Sequence, residues 1–270
     1  VETLDYPDLT EYVKAHSYQV DQTALDDGGW SLTDGRTQAL LLKIRAAGVP
    51  LGTYVDGKIY RGILTGLNEA FVIDEATRGR LIAGDPRSAE VIKPFLAGRD
   101  VKRYTPPKSD RYLILFEKGI SNKEGSGYRD KWEWIENSYP AVAAYLQPFE
   151  VAAQKRCDKG DYWWELRACD YYDRFESPKL IFPDIAPRPN FTIDETGGFF
   201  DANTCYNLFY SDKFLLGLLN SQLINFYYRY LAAVYRGGYL RFFSQYVEML
   251  PIRPIDPSDP ADVARRDRIV

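Results

Sequence analysis

The β-type segments of this chain are all short, and turn residues or a helical stretch stop each one. Alternating or apolar runs cover 51–55, 58–64, 70–73, 111–116 and 179–182. Asp56-Gly57 between the first two reads as a two-residue hairpin turn, and Pro183 closes the last. Helical spacing covers 37–47, where Gly48-Val49-Pro50 stops it, and 74–83. Asn137-Ser138 can cap a helix with Pro140 in its first turn, running to about Cys157. Ser211 or Asp212 can cap a strongly apolar helix over 213–233, and Gly237-Gly238 breaks the chain beyond it. The polar segment 119–127 reads as a loop, and 161–200 as aromatic and β-rich. Strands and helices do not alternate in βαβ order. The expected class is therefore α+β, a mixed, β-rich core with separate packed helices.

The 270 residues can bury a sizeable core without disulfides or metals. With 45 % hydrophobic and 27 % charged residues, wholesale disorder is excluded. No apolar run approaches the ~18–20 residues of a membrane span. The N-terminus, Val1-Glu2-Thr3-Leu4-Asp5-Tyr6, has neither an initiator Met nor a signal pattern, so a cut within a longer protein is expected. Cys157, Cys169 and Cys205 are too scattered for a disulfide framework or a zinc site, and a reducing, cytoplasmic setting is the default expectation. His16 is the only histidine. That excludes sites built from several His ligands and leaves His16 as a surface residue without evident partners.

Charge is unevenly placed. The net value is −4, yet residues 1–30 hold seven acids against Lys14 alone, so the remainder is slightly positive. Nine bases against four acids fall in 78–112, and four arginines against Glu248 in 223–253. Two basic stretches on a near-neutral body suit a phosphate-contacting face, because binding follows local potential. Two solvated surfaces are the alternative.

Enzymatic signatures are missing. Gly125-Ser126-Gly127 is not a dinucleotide fingerprint, and there is no P-loop and no G-x-S-x-G elbow. Thr105-Pro106-Pro107-Lys108 lacks both the amide or carboxylate and the aromatic of a base-holding Asn/Asp-Pro-Pro-Tyr loop. No acids are arranged with a lysine as metal-dependent nucleases require. The chain is not expected to be catalytic alone, and neither a metal nor a cofactor is expected in it.

Four blocks carry a resemblance. The first runs Lys58-Ile59-Tyr60-Arg61-Gly62-Ile63-Leu64-Thr65-Gly66-Leu67-Asn68-Glu69-Ala70-Phe71-Val72-Ile73-Asp74 and continues through Ile92-Lys93-Pro94-Phe95-Leu96-Ala97-Gly98-Arg99-Asp100-Val101-Lys102-Arg103-Tyr104. The second is Tyr162-Trp163-Trp164-Glu165-Leu166-Arg167 with Lys179-Leu180-Ile181-Phe182-Pro183-Asp184-Ile185. The third is Asn203-Thr204-Cys205-Tyr206, and the last Leu215-Leu216-Gly217-Leu218-Leu219-Asn220-Ser221. Together, over roughly 35–253, they resemble the C-terminal specificity domain of TaqI-like adenine methyltransferases and type IIG restriction–modification enzymes. The apolar helix, Gly-Gly and Leu250-Pro251-Ile252 also resemble recognition domains of type I specificity subunits.

The resemblance implies a target-recognition fragment that binds double-stranded DNA. It also implies an N-terminal methyltransferase domain in the parent chain, which would hold S-adenosylmethionine, with a nuclease possible there as well. The expected layout is an acidic connecting segment at 1–30 and an α+β recognition domain at 31–210. An apolar helix and return segment over 211–253 and a Pro- and Asp-rich tail over 254–270 would complete it.

Sequence readout needs groups that reach base edges, held in register by phosphate contacts. Gly98 allows a tight loop on which Arg99, Lys102 and Arg103 can converge with Lys93; internal ion pairs such as Arg99–Asp100 are the alternative. Thr65 and Asn68 sit in a small-polar segment where a backbone can approach DNA, unless it is simply a turn. Arg236 and Arg241 flank Gly237-Gly238, and Lys179 completes the candidate DNA contacts. The Tyr162, Trp163, Trp164, Tyr171 and Tyr172 aromatics suit a core better than a base-stacking platform. A carbohydrate- or peptide-binding module lined by them is the rival reading.

Overall fold

Aspartates cap the main helices. Asp34 accepts the N–H groups of Arg36 and Thr37 to open Gly35–Ala46, Asp74 accepts that of Thr77 to open Glu75–Gly84, and Asp212 that of Leu215 to open Lys213–Leu219. The structure is a computed structural model that describes residues 8–19, 22, 33–57, 59–232 and 234–270. Within the acidic first segment it describes a helix, Leu9–His16, capped by Asp8. Most of the remainder of 1–32 lies outside the described residues.

Two four-stranded sheets carry the architecture. One has Cys205–Leu208 and Lys179–Pro183 at its centre, with Ile59–Arg61 and Thr192–Asp194 outside them, all antiparallel. In the other, Arg111–Ile114 pairs antiparallel with Val72–Asp74 and Ile92–Leu96. Phe200–Asp201 joins Ile92–Leu96 in parallel. Each sheet has its own apolar core. The first cluster, on the sheet centred on Arg111–Ile114, includes Phe71, Ile114, Phe116, Ile135, Leu146, Trp164 and Phe175. The second draws on Leu51, Phe182, Phe191, Leu215, Tyr228 and Ile252. A small seam of Leu96, Val101, Ile181 and Cys205 lies between strand ends from both sheets. The fold is α+β, as expected.

Several local elements differ from the sequence expectation, most of them because a partner distant in the chain takes backbone groups. Residues Leu51–Tyr54 form a helical turn, since the N–H groups of Leu51 and Gly52 go to the carbonyls of Leu250 and Glu248. The segment 119–127 contains a helix, Ile120–Glu124, seated on the buried Glu165 carboxylate, which accepts the N–H groups of Gly119 and Ser121. The apolar helix divides into Lys213–Leu219 and Gln222–Leu231. Asn220 ends the first and uses its side-chain amide to hold both the N–H and the carbonyl of Phe191. Ser221 then caps the second. The C-terminal tail folds as the helix Pro260–Asp267, anchored by buried Asp262 to Arg253 and Arg265.

Candidate nucleic-acid interface

The strands Ile92–Leu96 and Lys179–Pro183 end close together, and a turn fills the gap. Gly98 donates its N–H to Thr204 Oγ1 at 3.0 Å. A Cβ on Gly98 would lie 2.8 Å from the Thr204 carbonyl oxygen, so this approach requires glycine. Asp100 closes the turn by accepting the Ala97 N–H at 2.7 Å and the Arg111 guanidinium. Across the gap, Asp184 takes the Arg241 guanidinium in a two-pronged pair at 3.1 and 3.0 Å. That guanidinium also lies 4.2 Å from the Phe243 ring and 5.7 Å from Tyr235. Leu240–Arg241 pairs with Ile185–Ala186, which carries the 235–239 segment to the same place. Gly237 and Gly238, at φ of 71° and 79°, turn the chain there.

Between these walls is a cleft of about 670 Å³, lined among others by Arg99, Lys102, Arg111, Asp184, Asn190 and Tyr239. The two basic stretches of the sequence meet here. Their charges are not equivalent. Arg111 and Arg241 are committed to Asp100 and Asp184. The Arg99 side chain is 78 % exposed, with the Asp100 carboxylate 4.0 Å away. Lys102 is exposed and forms no ion pair with the described residues. Arg103 is half-buried beside the Tyr104 ring. This arrangement offers two exposed cations and an aromatic edge around an ion-paired, charge-compensated frame.

The other expected contacts fall elsewhere. Lys179 is fully buried, paired with Asp194 at 2.9 Å and donating to the Phe175 carbonyl at 2.6 Å, so it is a core residue and not a DNA contact. Burial alone opposes a charge on Asp194, but the Lys179 ammonium and hydrogen bonds from Phe199 and Thr196 hold its carboxyl below the usual range. Lys93 points away from the cleft and pairs with Glu176 at 2.8 Å. Thr65 is buried and donates its hydroxyl to Asn68 Oδ1 at 2.6 Å; the two form the turn into the short helix Asn68–Phe71. Arg241 is present at the cleft, as a brace for its wall. The Arg236 backbone is placed beside Gly237, and its side chain lies outside the described residues.

The aromatics of 162–172 pack into the first core, Trp164 and Tyr172 being buried and Trp163 lying against Trp132. They form no open platform. The sequence reading missed Asn190 and the role of Asp184 as the counter-charge of Arg241. Nothing local marks either, because their partners are 57 or more residues away in the chain. Among the described residues, no group of His, Cys, Asp and Glu is arranged to hold a metal, and no helix is long and apolar enough to cross a membrane.

The model of the TaqI-like C-terminal specificity domain family matches residues 93–252. That is more than half of the chain, and the chain belongs to this family. A type II methyltransferase, M.BanIII of Aneurinibacillus aneurinilyticus, is 26 % identical over 126 residues, 42 % of this chain and 21 % of that protein. Among solved structures, the type IIG restriction endonuclease BpuSI aligns with a TM-score of 0.50 and 11 % identity, over 86 % of this chain and 28 % of its own. The type IIL restriction–modification enzyme MmeI in complex with DNA aligns with a TM-score of 0.45 and 14 % identity, over 81 % of this chain and 27 % of its own. The chain thus spans about a fifth of the curated relative and little more than a quarter of either structure. The likeness to BpuSI is one of fold.

Proposed function

We propose that this chain recognises a specific sequence in double-stranded DNA, as the specificity domain of an adenine-N6 methyltransferase of a restriction–modification or phage-defence system. The family match supports the class. The observation that carries the reading onto this molecule is the cleft at the ends of Ile92–Leu96 and Lys179–Pro183, where Arg99 and Lys102 stand exposed on a braced frame. In this reading Arg99 and Lys102 contact phosphate or base edges, and Asp100, Arg111, Asp184 and Arg241 hold the walls. An N-terminal methyltransferase domain of the same parent chain would bind S-adenosylmethionine, whose methyl group would go to the adenine. Such chemistry requires the base to leave the stack, and this chain's task is to set the register in which that happens.

The test is binding of the 270-residue chain to a fluorescent pool of duplexes with a randomised core. Affinity should fall roughly a hundredfold between 50 and 200 mM salt if about four phosphates are neutralised. Repeated selection should enrich one motif. Absence of salt-sensitive binding to any duplex overturns the reading. For the finer assignment, DNA from cells expressing the complete parent should carry N6-methyladenine at the enriched motif; methylcytosine there would exclude the adenine class.

A further inference from the structure

Tyr104 is held in a backbone conformation that costs energy, and its side chain is left in solvent. Its φ is +61°, the left-handed region in which a Cβ is crowded. The residue is nevertheless 65 % exposed. Side chains from one segment grip the backbone on both sides of it. Asn190 Oδ1 accepts the Arg103 N–H at 2.6 Å, and Asn190 Nδ2 donates to the Val101 carbonyl at 2.7 Å. Thr192 Oγ1 donates to the Thr105 carbonyl at 2.6 Å. The gripping segment is itself clamped, because the buried Asn220 amide holds both backbone groups of Phe191 at 2.9 Å. By contrast, the Tyr104 hydroxyl reaches the Asn220 carbonyl only at 3.4 Å, a weak bond. The restraint therefore acts on the backbone and presents the ring outward, with the Arg103 guanidinium 5.5 Å from its centre.

Strain of this kind persists only where the surroundings over-determine it, and it concentrates at sites that touch ligands. The strained residue lies two positions after Lys102, one of the two exposed cations of the cleft, and lines the neighbouring hollow with Pro106, Thr192 and Lys213. We infer that Tyr104 is a nucleotide-contacting residue, whose ring packs against the sugar or base edge of a nucleotide of the bound duplex while Arg103 and Lys102 reach its phosphates. The inference rests on the DNA-binding reading above and adds to it a contact that is not electrostatic.

The test compares Tyr104→Gly and Tyr104→Phe with the unmodified chain, by duplex-pool binding across a salt series and by thermal melting. Glycine removes the ring and relieves the strain, so Y104G should melt no lower than the parent yet bind roughly tenfold or more weakly. Its salt slope should be unchanged, because no phosphate contact is lost. Y104F should bind like the parent. Equal binding by Y104G and the parent overturns the inference and leaves the DNA reading standing. A Y104G that melts several degrees lower overturns the strain argument on which it stands. A parent chain with no salt-sensitive binding overturns the DNA reading itself, and this inference with it.

Discussion

The strands Ile92–Leu96 and Lys179–Pro183 each carry a lysine near their start and reach the cleft at their end, and the two ends handle charge differently. At the start, Lys93 meets Glu176 in a second cleft of about 490 Å³ that is also lined by Glu90, Glu117, Glu124 and Asp173. Burial, and then the charges of Glu176 and Asp173, push the Glu117 carboxyl up, and acidic side chains outnumber Lys93 along this cleft, which does not suit a phosphate. Lys179 starts the other strand inside the core, against Asp194. At the far ends the carboxylates Asp100 and Asp184 are used up on Arg111 and Arg241, and Arg99 and Lys102 are left over. On the proposed reading, a cation is available to DNA when the carboxylates near it are absent or already held more closely by another cation, as Asp100 is by Arg111. Its place within a basic run of sequence does not decide this.

The largest effect expected from breaking the contrast is at the buried end. Lys179→Met leaves Asp194 ionised without its counter-charge, and such losses cost ~3–5 kcal/mol. Asp194 keeps hydrogen bonds from the backbone of Gly197, Gly198 and Phe199, which argues for the lower figure, about 3 kcal/mol. Urea melts would measure it, and K179M/D194N should recover part of the loss. A K179M protein as stable as the parent would mean that this lysine is not the core residue described.

Beside that pair, Asp201 sharpens the point that buried groups answer to pH and exposed ones to salt. Asp201 Oδ1 accepts from Asn207 Nδ2 at 3.0 Å, while Asp201 Oδ2 and Asn207 Oδ1 are buried without partners among the described residues. Burial pushes the Asp201 carboxyl up to about 7, with Lys179 opposing and Asp194 adding to the shift. A proton on Asp201 removes the cost of a charge buried beside an unpartnered oxygen. Because the folded value lies above the unfolded one, near 3.8, this contribution is complete below about pH 4 and is lost as pH rises towards 7. Asp201→Asn is neutral at every pH. Over pH 5 to 7 its stability relative to the parent should rise by roughly 1 kcal/mol per pH unit, less steeply as 7 is approached. A difference that stays flat across that range would show that Asp201 is already ionised in the fold.

At the cleft end, R99E/K102E should weaken duplex binding at least tenfold and lower the salt slope by about two, with melting unchanged, since neither side chain is packed. Here the sequence was a good guide. The order of blocks placed Gly98, Arg99 and Lys102 on one loop, and the two basic stretches do converge. It misjudged Lys179, because strand-like spacing around 179–182 is the same whether the first residue faces solvent or an aspartate fifteen residues on. It treated Arg241 as free because its partner Asp184 is 57 residues distant. The division of the apolar helix at Asn220 was hidden for the same reason: the cause is Phe191, 29 residues earlier. Local chemistry was legible wherever the cause was local, as with the Asp34, Asp74 and Asp212 caps.

The smallest expected effect is the most direct check of the contrast. Lys93 and Arg99 lie six residues apart in one basic run, and charge alone ranks them equally. Lys93→Gln removes a cation whose neighbours are carboxylates, so any DNA it meets would also meet Glu176, Glu117 and Asp173. Binding should change by less than about twofold and the salt slope by nothing measurable, since no phosphate contact is lost. The Lys93–Glu176 pair is partly exposed, so stability should fall by less than ~1 kcal/mol. A K93Q chain that loses affinity as Lys102→Gln does would place DNA over the acidic cleft as well. The ends of the two strands could then no longer be told apart by their carboxylates.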